Sequence, residues 1–536
     1  MFRLSSVFAI GLASLVMACE PIPVATDTRP APPVVTAPAG GAQPVEVSRD
    51  RITGGGAVAA SPITSQPARI ARSTRTAEEQ RIGDEEHPKI IAEFGGEVTD
   101  RRLKSYVDRI GRDLVAISEE PNERWTFTIL DSPVINAFAL PGGYVYVTRG
   151  LIALADNEAE LAAVIGHEIG HITAKHSRER NERAQEGNLG VLGAILVGAV
   201  LGGEDGAQIG QQIGTTLAGG RTASYSRSQE FDADVIGIRY LALAGYDPRA
   251  QATFLQSLEQ QSALNDRRAG RERMAGRVDF LATHPATGDR IAQARRYGEE
   301  LLRTVPAPRL GTAEHLAAID GMVYSDAADQ GFVRNGAFVH PGLGFEFTPP
   351  PGWSLDNLPT LVGMRGPGGA QLVFDGGLSR LSPADYIRQS WLPELAESNG
   401  IQPASEIERL TVNGLQAARI DARLRVQSGV GYAQLYAIQK GEQIYRFRGL
   451  TPVNSTAGRA EIARAATSFR ALSAREIASE TPPRIRAYTV RRGDSAASIA
   501  QRMEVPEPKL DQFLVLNSLP ANTVLRPGQV VKIVTQ

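Results

Sequence analysis

The chain has 536 residues, enough for two to four domains, and its 42% hydrophobic and 22% charged residues are ordinary for a globular protein. Its net charge of -2 argues against the basic surface that nucleic-acid binding uses. The single cysteine, Cys19, excludes an intramolecular disulfide and a cysteine-based metal site.

The first 18 residues have the form of a secretory signal peptide. Arg3 precedes a short apolar core that ends at Met17 and is too short to span a bilayer. The residues before Cys19 resemble a bacterial lipobox, which implies that Cys19 carries a lipid. Glu20 follows the cysteine, and by resemblance to lipoprotein sorting signals this favours the outer membrane, facing the periplasm. The alternative is an ordinary cleaved signal followed by an incidental cysteine.

Residues 19–76 are rich in Pro, Ala, Thr and Gly and have few large apolar side chains. Such a segment cannot bury enough surface to offset its chain entropy. We therefore predict a disordered tether between the lipid anchor and the folded body.

The first folded domain is predicted over residues 77–306, as a mainly helical domain with a small sheet. Apolar residues at helical spacing predict a helix from Val98 to Ser118, and alternation predicts a strand from Trp125 to Leu130. The stretch from Asn136 to Val147 predicts two strands around a Pro-Gly-Gly turn.

The stretch Glu158 to His176 predicts the helix around which this domain is organised. It contains His167, Glu168 and His171, in the spacing His-Glu-x-x-His. Positions i and i+4 share one helix face, so both imidazoles can bind one metal ion while the glutamate handles a proton. The alternative is a buried helix with two incidental histidines.

Local signals around the motif support a helix. Asn157 followed by Glu160 has the form of a capping box. Gly166 and Gly170 lower helix propensity, which suggests that another backbone approaches closely there. Further on, the Gly-rich run from Gly187 to Gly220 fits either a packed hairpin of the core or a lid beside the cleft.

A second acidic pair lies downstream, on a helix that Ser226 and Gln229 are predicted to cap. Glu230 and Asp234 are four residues apart and so share a face. Glu230 can supply the third ligand that a zinc ion held by two histidines needs. Asp234 can accept the outer N–H of a ligating histidine. The alternative is a solvated acidic face.

Together these motifs resemble the gluzincin zinc endopeptidases of the HtpX-like and CAAX-prenyl-peptidase family, particularly its periplasmic lipoprotein members. The motifs that carry the resemblance are Asn136-Ala137-Phe138, the His167-to-His171 motif, Glu230 with Asp234, and Thr283-His284-Pro285 with Asp289-Arg290. The resemblance implies one zinc ion on His167, His171 and Glu230, with Glu168 as the catalytic base and Asp234 behind the ligands.

The same resemblance implies two further roles. His284 would lie by the metal and act there, either as a latch on the open position or as a stabiliser of the oxyanion. Asn136, Ala137 and Phe138 would form the strand edge that binds extended substrate. His176 falls off the predicted ligand face and is expected at the surface, and no constellation supports a role for His87, His315 or His340.

Residues 307–480 predict a small α+β domain of short alternating strands and a few helices. No catalytic constellation is visible in it, so a binding or positioning role is expected. Residues 486–534 predict a βααβ unit that resembles a LysM module, a binder of N-acetylglucosamine-containing glycans such as peptidoglycan. Ala496 and Ala497 stand where common LysM modules have bulky residues, which predicts weak or redirected glycan binding.

These observations predict an α+β multidomain protein that works as a periplasmic zinc metalloendopeptidase. Its expected partners are extended or misfolded envelope polypeptides, peptidoglycan through the LysM-like module, and a membrane through the lipid on Cys19. Nucleic acid is not expected. Two alternatives stay open: a hydrolase of peptidoglycan stem peptides, and a non-catalytic scaffold that binds the cell wall.

Overall fold

The computed structural model describes residues 75–179, 225–268, 280, 284, 288–399, 401–426 and 429–536. The predicted signal peptide, nearly all of the predicted tether, Cys19 and the Gly-rich run lie outside these residues. None of the described helices is both long enough and apolar enough to cross a membrane.

The first part of the chain forms helices around a three-stranded sheet. Its elements are α1 (Ala77–Glu93), α2 (Arg101–Val115), β1 (Thr126–Leu130), β2 (Ala137–Leu140), β3 (Tyr144–Thr148), α3 (Arg149–Leu154), α4 (Glu158–Thr173), α5 (Arg227–Leu243), α6 (Ala250–Arg268), α7 (Gly288–Leu302) and α8 (Thr312–Ile319). The strand order is β1-β3-β2, with β1 parallel and β2 antiparallel to β3. The helices and strands predicted upstream of α4 are confirmed within a few residues at each end.

Helix α4 lies in the centre of this part and is buried on all sides from Glu158 to Ile172. Asn157 caps it by accepting a hydrogen bond from the backbone N of Glu160 at 3.0 Å. The Glu160 carboxylate accepts from the backbone N of Asp156 at 2.9 Å, so the expected reciprocal bond is displaced by one residue. A helix buried on every face must satisfy its polar side chains inside the protein.

The two glycines of α4 face α5, as their position in the sequence suggested. A Cβ atom on Gly170 would lie 3.3 Å from the carbonyl oxygen of Ala233, and one on Gly166 would lie 3.5 Å from Cα of Gly237. A Cβ on Gly237 would lie 3.0 Å from the backbone N of His167. The small residues therefore let the backbones of the two helices come close together.

The middle part of the chain is an α+β domain. Its strands are β4 (Phe332–Arg334), β5 (Ala337–His340), β6 (Phe345–Phe347), β7 (Ser354–Asn357), β8 (Val362–Arg365), β9 (Gln371–Leu378), β10 (Gln402–Pro403), β11 (Glu408–Val412), β12 (Leu415–Val426), β13 (Gly429–Lys440), β14 (Gln443–Pro452) and β15 (Arg470–Ala471), and its helices are α9 (Pro383–Tyr386), α10 (Leu392–Asn399), α11 (Thr456–Ser468) and α12 (Ala474–Ser479). A π-helical turn, Ile387–Trp391, joins α9 to α10. The large sheet runs β10-β12-β13-β14-β9-β8-β7, with β11 also paired to β12, and a smaller sheet runs β15-β6-β5-β4.

The C-terminal part has the predicted βααβ order. It consists of β16 (Arg484–Thr489), α13 (Ala496–Ala500), α14 (Lys509–Leu516) and β17 (Val530–Thr535). The two strands pair antiparallel, from Arg484 with Thr535 to Thr489 with Val530.

The first and last parts of the chain share main-chain contacts. The backbone N of Gly321 donates to the carbonyl of Ile485, and the N of Ile485 donates to the carbonyl of Met322, both at 2.9 Å. The buried side chains of the C-terminal part belong to the same apolar cluster as those of α2 and α4. The middle domain is therefore inserted between two segments that form one core.

We expect Gly237→Ala to lower the free energy of unfolding by about 1–3 kcal/mol, because overpacking forces two backbones apart. Thermal denaturation of the full chain measures the effect. Gly288→Ala is the matched control, since its Cβ would meet no described atom within 4 Å. Equal melting temperatures for both variants would contradict a tight α4–α5 contact.

Candidate metal centre

Four buried side chains converge between α4 and α5. They are His167, His171, Glu230 and His284, whose candidate ligand atoms all lie within 4.8 Å of one another. Helix α4 supplies the first two at i and i+4, and Glu230 comes from the first turn of α5. The backbone N of His284 donates to the carbonyl of Phe280 at 2.8 Å. The structure therefore brings together every residue that the sequence suggested as a ligand.

The distances within this cluster fit a single metal ion. His167 Nε2 lies 3.0 Å from His171 Nε2 and 3.7 Å from Glu230 Oε2, and His171 Nε2 lies 3.4 Å from Glu230 Oε1. A tetrahedral ion with bonds of about 2.0–2.1 Å holds its ligand atoms roughly 3.4 Å apart. Two imidazole nitrogens and a carboxylate also match the donors that Zn²⁺ and similar cations take.

Glu168 lies beside the cluster and is fully buried. Neither of its carboxylate oxygens has a hydrogen-bond partner among the described residues, and Oε1 lies 3.6 Å from Nε2 of His284. Burial raises the pKa of Glu168. A carboxylate with few donors and a raised pKa is suited to accepting a proton during a reaction.

Asp234 lies behind His167, as the sequence predicted. Its Oδ1 is 3.0 Å from Nδ1 of His167, which directs the opposite nitrogen, Nε2, into the cluster. Gln251 also donates to Oδ1, at 2.7 Å. Burial alone would raise the pKa of Asp234, but hydrogen bonds from Arg290 hold it below its usual value.

Arg290 is a site residue to which the sequence gave no role. Its Nε and one terminal nitrogen donate to the two oxygens of Asp234 at 2.8 Å each, and the other terminal nitrogen lies 2.5 Å from Glu230 Oε2. Its guanidinium is 2% exposed. One buried cation therefore contacts both Glu230 and the carboxylate that lies behind His167. The sequence motif after His284 includes Arg290, but Arg290 is 56 residues from Asp234, and no local pattern predicts a contact over that separation.

The expectation that His176 lies at the surface is wrong. His176 is 3% exposed, and its Nδ1 lies 2.9 Å from Nδ1 of His171. Helix α4 ends at Thr173, and Lys175 takes a left-handed backbone conformation with φ of 59°. Helical spacing no longer applies beyond that point, and the turn brings His176 back against His171. This contact directs Nε2 of His171 into the cluster.

Asn136, Ala137 and Phe138 lie next to α4 but outside the cluster. Among the described strands, β2 pairs with β3 on one side only, which makes it an edge strand. Their side chains are buried, with exposed fractions of 3%, 0% and 8%. Strand addition requires an edge position, and β2 meets this requirement. Binding of substrate at these residues stays a prediction.

The remaining histidines, for which the sequence suggested no role, lie outside the cluster. His87 Nδ1 is 2.8 Å from the hydroxyl of Tyr146, and His315 Nδ1 is 3.0 Å from the hydroxyl of Tyr106. His340 lies on β5 of the middle domain.

A mainly helical domain with this motif on one helix and a carboxylate ligand from the next has the architecture of a zincin-type metallopeptidase. Comparison with family models agrees. Residues 101–297 match peptidase family M48, and residues 488–534 match the LysM domain. The chain thus contains an M48 metallopeptidase domain and a C-terminal LysM domain, and the resemblance seen in the sequence is confirmed.

The curated proteins to which the chain is similar are named as proteases or metalloendopeptidases. A putative beta-barrel assembly-enhancing protease of Vibrio cholerae is 32% identical over 276 residues, covering 50% of this chain and 54% of the relative. The beta-barrel assembly-enhancing protease of Escherichia coli K12 is 33% identical over 208 residues, covering 38% and 40%. The mitochondrial metalloendopeptidase OMA1 of Schizosaccharomyces pombe is 28% identical over 225 residues, covering 41% and 60%. The chain spans about half the length of the relatives it matches.

We expect Arg290→Lys to weaken zinc binding by about 10–100-fold, because lysine keeps the charge but cannot span two carboxylates. Competition with a chelator measures the affinity. Arg295→Lys, an exposed substitution on the same helix, should leave it unchanged. Unchanged affinity in both variants would show that Arg290 does not hold the ligands.

Proposed function

We propose that this protein is a zinc-dependent metalloendopeptidase of the cell envelope that cleaves extended or misfolded polypeptides. The observation that carries the proposal is the buried set of His167, His171 and Glu230, with Glu168 beside it and few donors on its carboxylate. The match to peptidase family M48 supports hydrolysis of peptide bonds.

A zinc ion on these three ligands would supply Lewis acidity toward the attacking water and the scissile carbonyl. Glu168 accepts the proton of that water and passes it to the leaving amine. Asp234 and His176 hold the outer nitrogens of the two histidines and so fix their tautomers.

In this proposal His284 acts as a latch. Its Nδ1 lies 3.3 Å from Nε2 of His167 and 2.9 Å from Oε1 of Glu230, so it stands among the ligand atoms where a fourth ligand belongs. While it stays there, water and substrate have no place at the metal. Binding of substrate would have to displace it.

Substrate is proposed to bind in an extended conformation along β2. Strand addition reads the backbone more than the side chains, which suits a peptidase for misfolded proteins. The names of the bacterial relatives, which describe an enhancer of beta-barrel assembly, support a role in envelope quality control.

The site of action is proposed from the two ends of the chain. A lipid on Cys19 would attach the protein to the outer membrane, facing the periplasm. The LysM domain suggests binding to glycans such as peptidoglycan. Val524, in the loop between α14 and β17, and Val530, the first residue of β17, are 85% and 44% exposed among the described residues, which supports ligand binding at this end of the domain.

The LysM domain also favours a second candidate, hydrolysis of peptidoglycan stem peptides. The same metal chemistry would serve that reaction, and only the substrate would differ. A non-catalytic scaffold fits less well, because burying the Glu168 carboxylate without hydrogen-bond donors is unfavourable and a scaffold would gain nothing from it.

We expect Glu168→Gln to lower peptidase activity by about 10²–10⁴-fold while zinc content stays unchanged, because only the proton acceptor is lost. Unfolded protein and muropeptides are assayed separately, with Glu259→Gln on exposed helix surface as the control. Equal activity of wild type and Glu168→Gln would contradict the mechanism. Cleavage of muropeptides alone would favour the second candidate.

We expect His284→Ala to raise the rate of cleavage of a short unstructured peptide several-fold, because the latch is removed. Zinc content is measured in the same samples, with His340→Ala as a control in the middle domain. A fall in rate at full zinc content would instead indicate that His284 stabilises the oxyanion.

A further inference from the structure

One buried lysine of the LysM domain contacts the peptidase domain. Lys532, on β17, is 2% exposed. Its Nζ donates to the carbonyl oxygens of Ala153, Leu154 and Ala155 at 3.0, 3.1 and 2.8 Å. It also lies 3.0 Å from Oδ1 of Asp156. Four oxygens of the peptidase domain therefore surround one ammonium group.

These oxygens belong to the last two residues of α3 and to the connection that leads from α3 into the active-site helix. Helix α3 ends at Leu154, and α4 begins at Glu158. The last carbonyls of a helix lack partners within it and carry the negative end of its dipole, so a cation there is favourable. Lys532 both satisfies these carbonyls and neutralises Asp156.

The first turn of α4 is held from other sides as well. Arg109 donates to both oxygens of Glu158, at 3.1 and 2.6 Å, and Thr253 donates to Glu160 at 2.6 Å. The backbone N of Asp156 donates to the same Glu160 carboxylate. Lys532 is thus the contribution of the LysM domain to a network that fixes where α4 starts.

The position of the start of α4 matters for the metal site. His167 lies nine residues after Glu158, about 14 Å along the same helix. A buried helix transmits a shift of its first turn to the ligands because close packing leaves little room for local adjustment. Gly237 of α5 packs tightly against this part of α4, since a Cβ on it would lie 3.0 Å from the backbone N of His167 and 3.3 Å from the carbonyl carbon of Gly166.

A second contact between the same two domains involves α6 instead of α4. Arg268 donates to Gln512 at 2.7 Å and to the carbonyl oxygens of Glu507 and Pro506 at 3.0 and 2.8 Å. Substitution of Arg268 would remove three hydrogen bonds, as many as substitution of Lys532 would, and none of the three involves the connection before α4. The chain therefore offers a matched control at one interface.

We propose that the LysM domain is a fixed structural part of the peptidase and that Lys532 is a positioning residue for the active-site helix. The inference rests on the metal site of the proposed function. It assigns the LysM domain a role beyond glycan binding: it completes the core of the peptidase and holds the histidine ligands in place. Its exposed loop end then lies at a fixed distance from the metal centre.

The test uses the full chain with Lys532→Met, Asp156→Asn and Arg268→Met. We expect Lys532→Met to weaken zinc binding several-fold, less than the roughly 10–100-fold loss that follows removal of a direct partner of a ligand. Asp156→Asn should cause a smaller fall in the same direction, and it decides the matter if Lys532→Met fails to fold. Arg268→Met should lower the melting temperature but leave zinc affinity unchanged.

Two results would overturn the proposal. One is wild-type zinc affinity in a folded Lys532→Met or, should that variant not fold, in Asp156→Asn. The other is an equal loss of affinity in Arg268→Met, which would indicate general weakening of the interface. Zinc affinity is measured without any peptidase assay, so a wild-type protein that binds zinc but cleaves nothing would overturn only the proposed function.

Discussion

The close contact between α4 and α5 is the constraint on which the rest of the peptidase domain depends. Gly166 and Gly237 meet where a Cβ on Gly237 would lie 3.0 Å from the backbone of His167. Only at this separation can Glu230 on one helix reach the same point as the two histidines on the other. The glycines cost helix propensity, and that cost is offset because α4 is packed on all sides and α5 packs its buried face against it.

Burying so many ionisable groups is unfavourable unless each has a partner. Arg290 compensates two of the buried carboxylates, since it donates hydrogen bonds to Asp234 and forms an ion pair with Glu230. His167 and His171 in turn have Asp234 and His176 within 3.0 Å of their outer nitrogens. Glu168 differs from these groups because neither of its oxygens accepts a hydrogen bond among the described residues, and a buried polar group without donors points to function more than to stability.

The order of the domains along the chain differs from their arrangement in space. Backbone pairing of residues 321–324 with residues 483–485 joins the LysM domain to the peptidase domain, and the α+β domain is inserted between them. A glycan-binding module on a flexible linker would search for its ligand independently. Here the shared core and the buried Lys532 make the LysM domain and the active-site helix parts of one body.

The meeting of His167 and Glu230 was implied only by the family resemblance, and the tertiary structure brings them together. The sequence by itself determined the fold class and placed His167 with His171 on one helix face and Glu230 with Asp234 on another, because spacing of four on a helix is a local rule. It also predicted the βααβ order of the LysM domain. Only the tertiary structure decided the positions of His176, Arg290 and Lys532. The first depends on a left-handed turn at Lys175, and the other two depend on contacts across 56 and more than 370 residues, which no local pattern encodes.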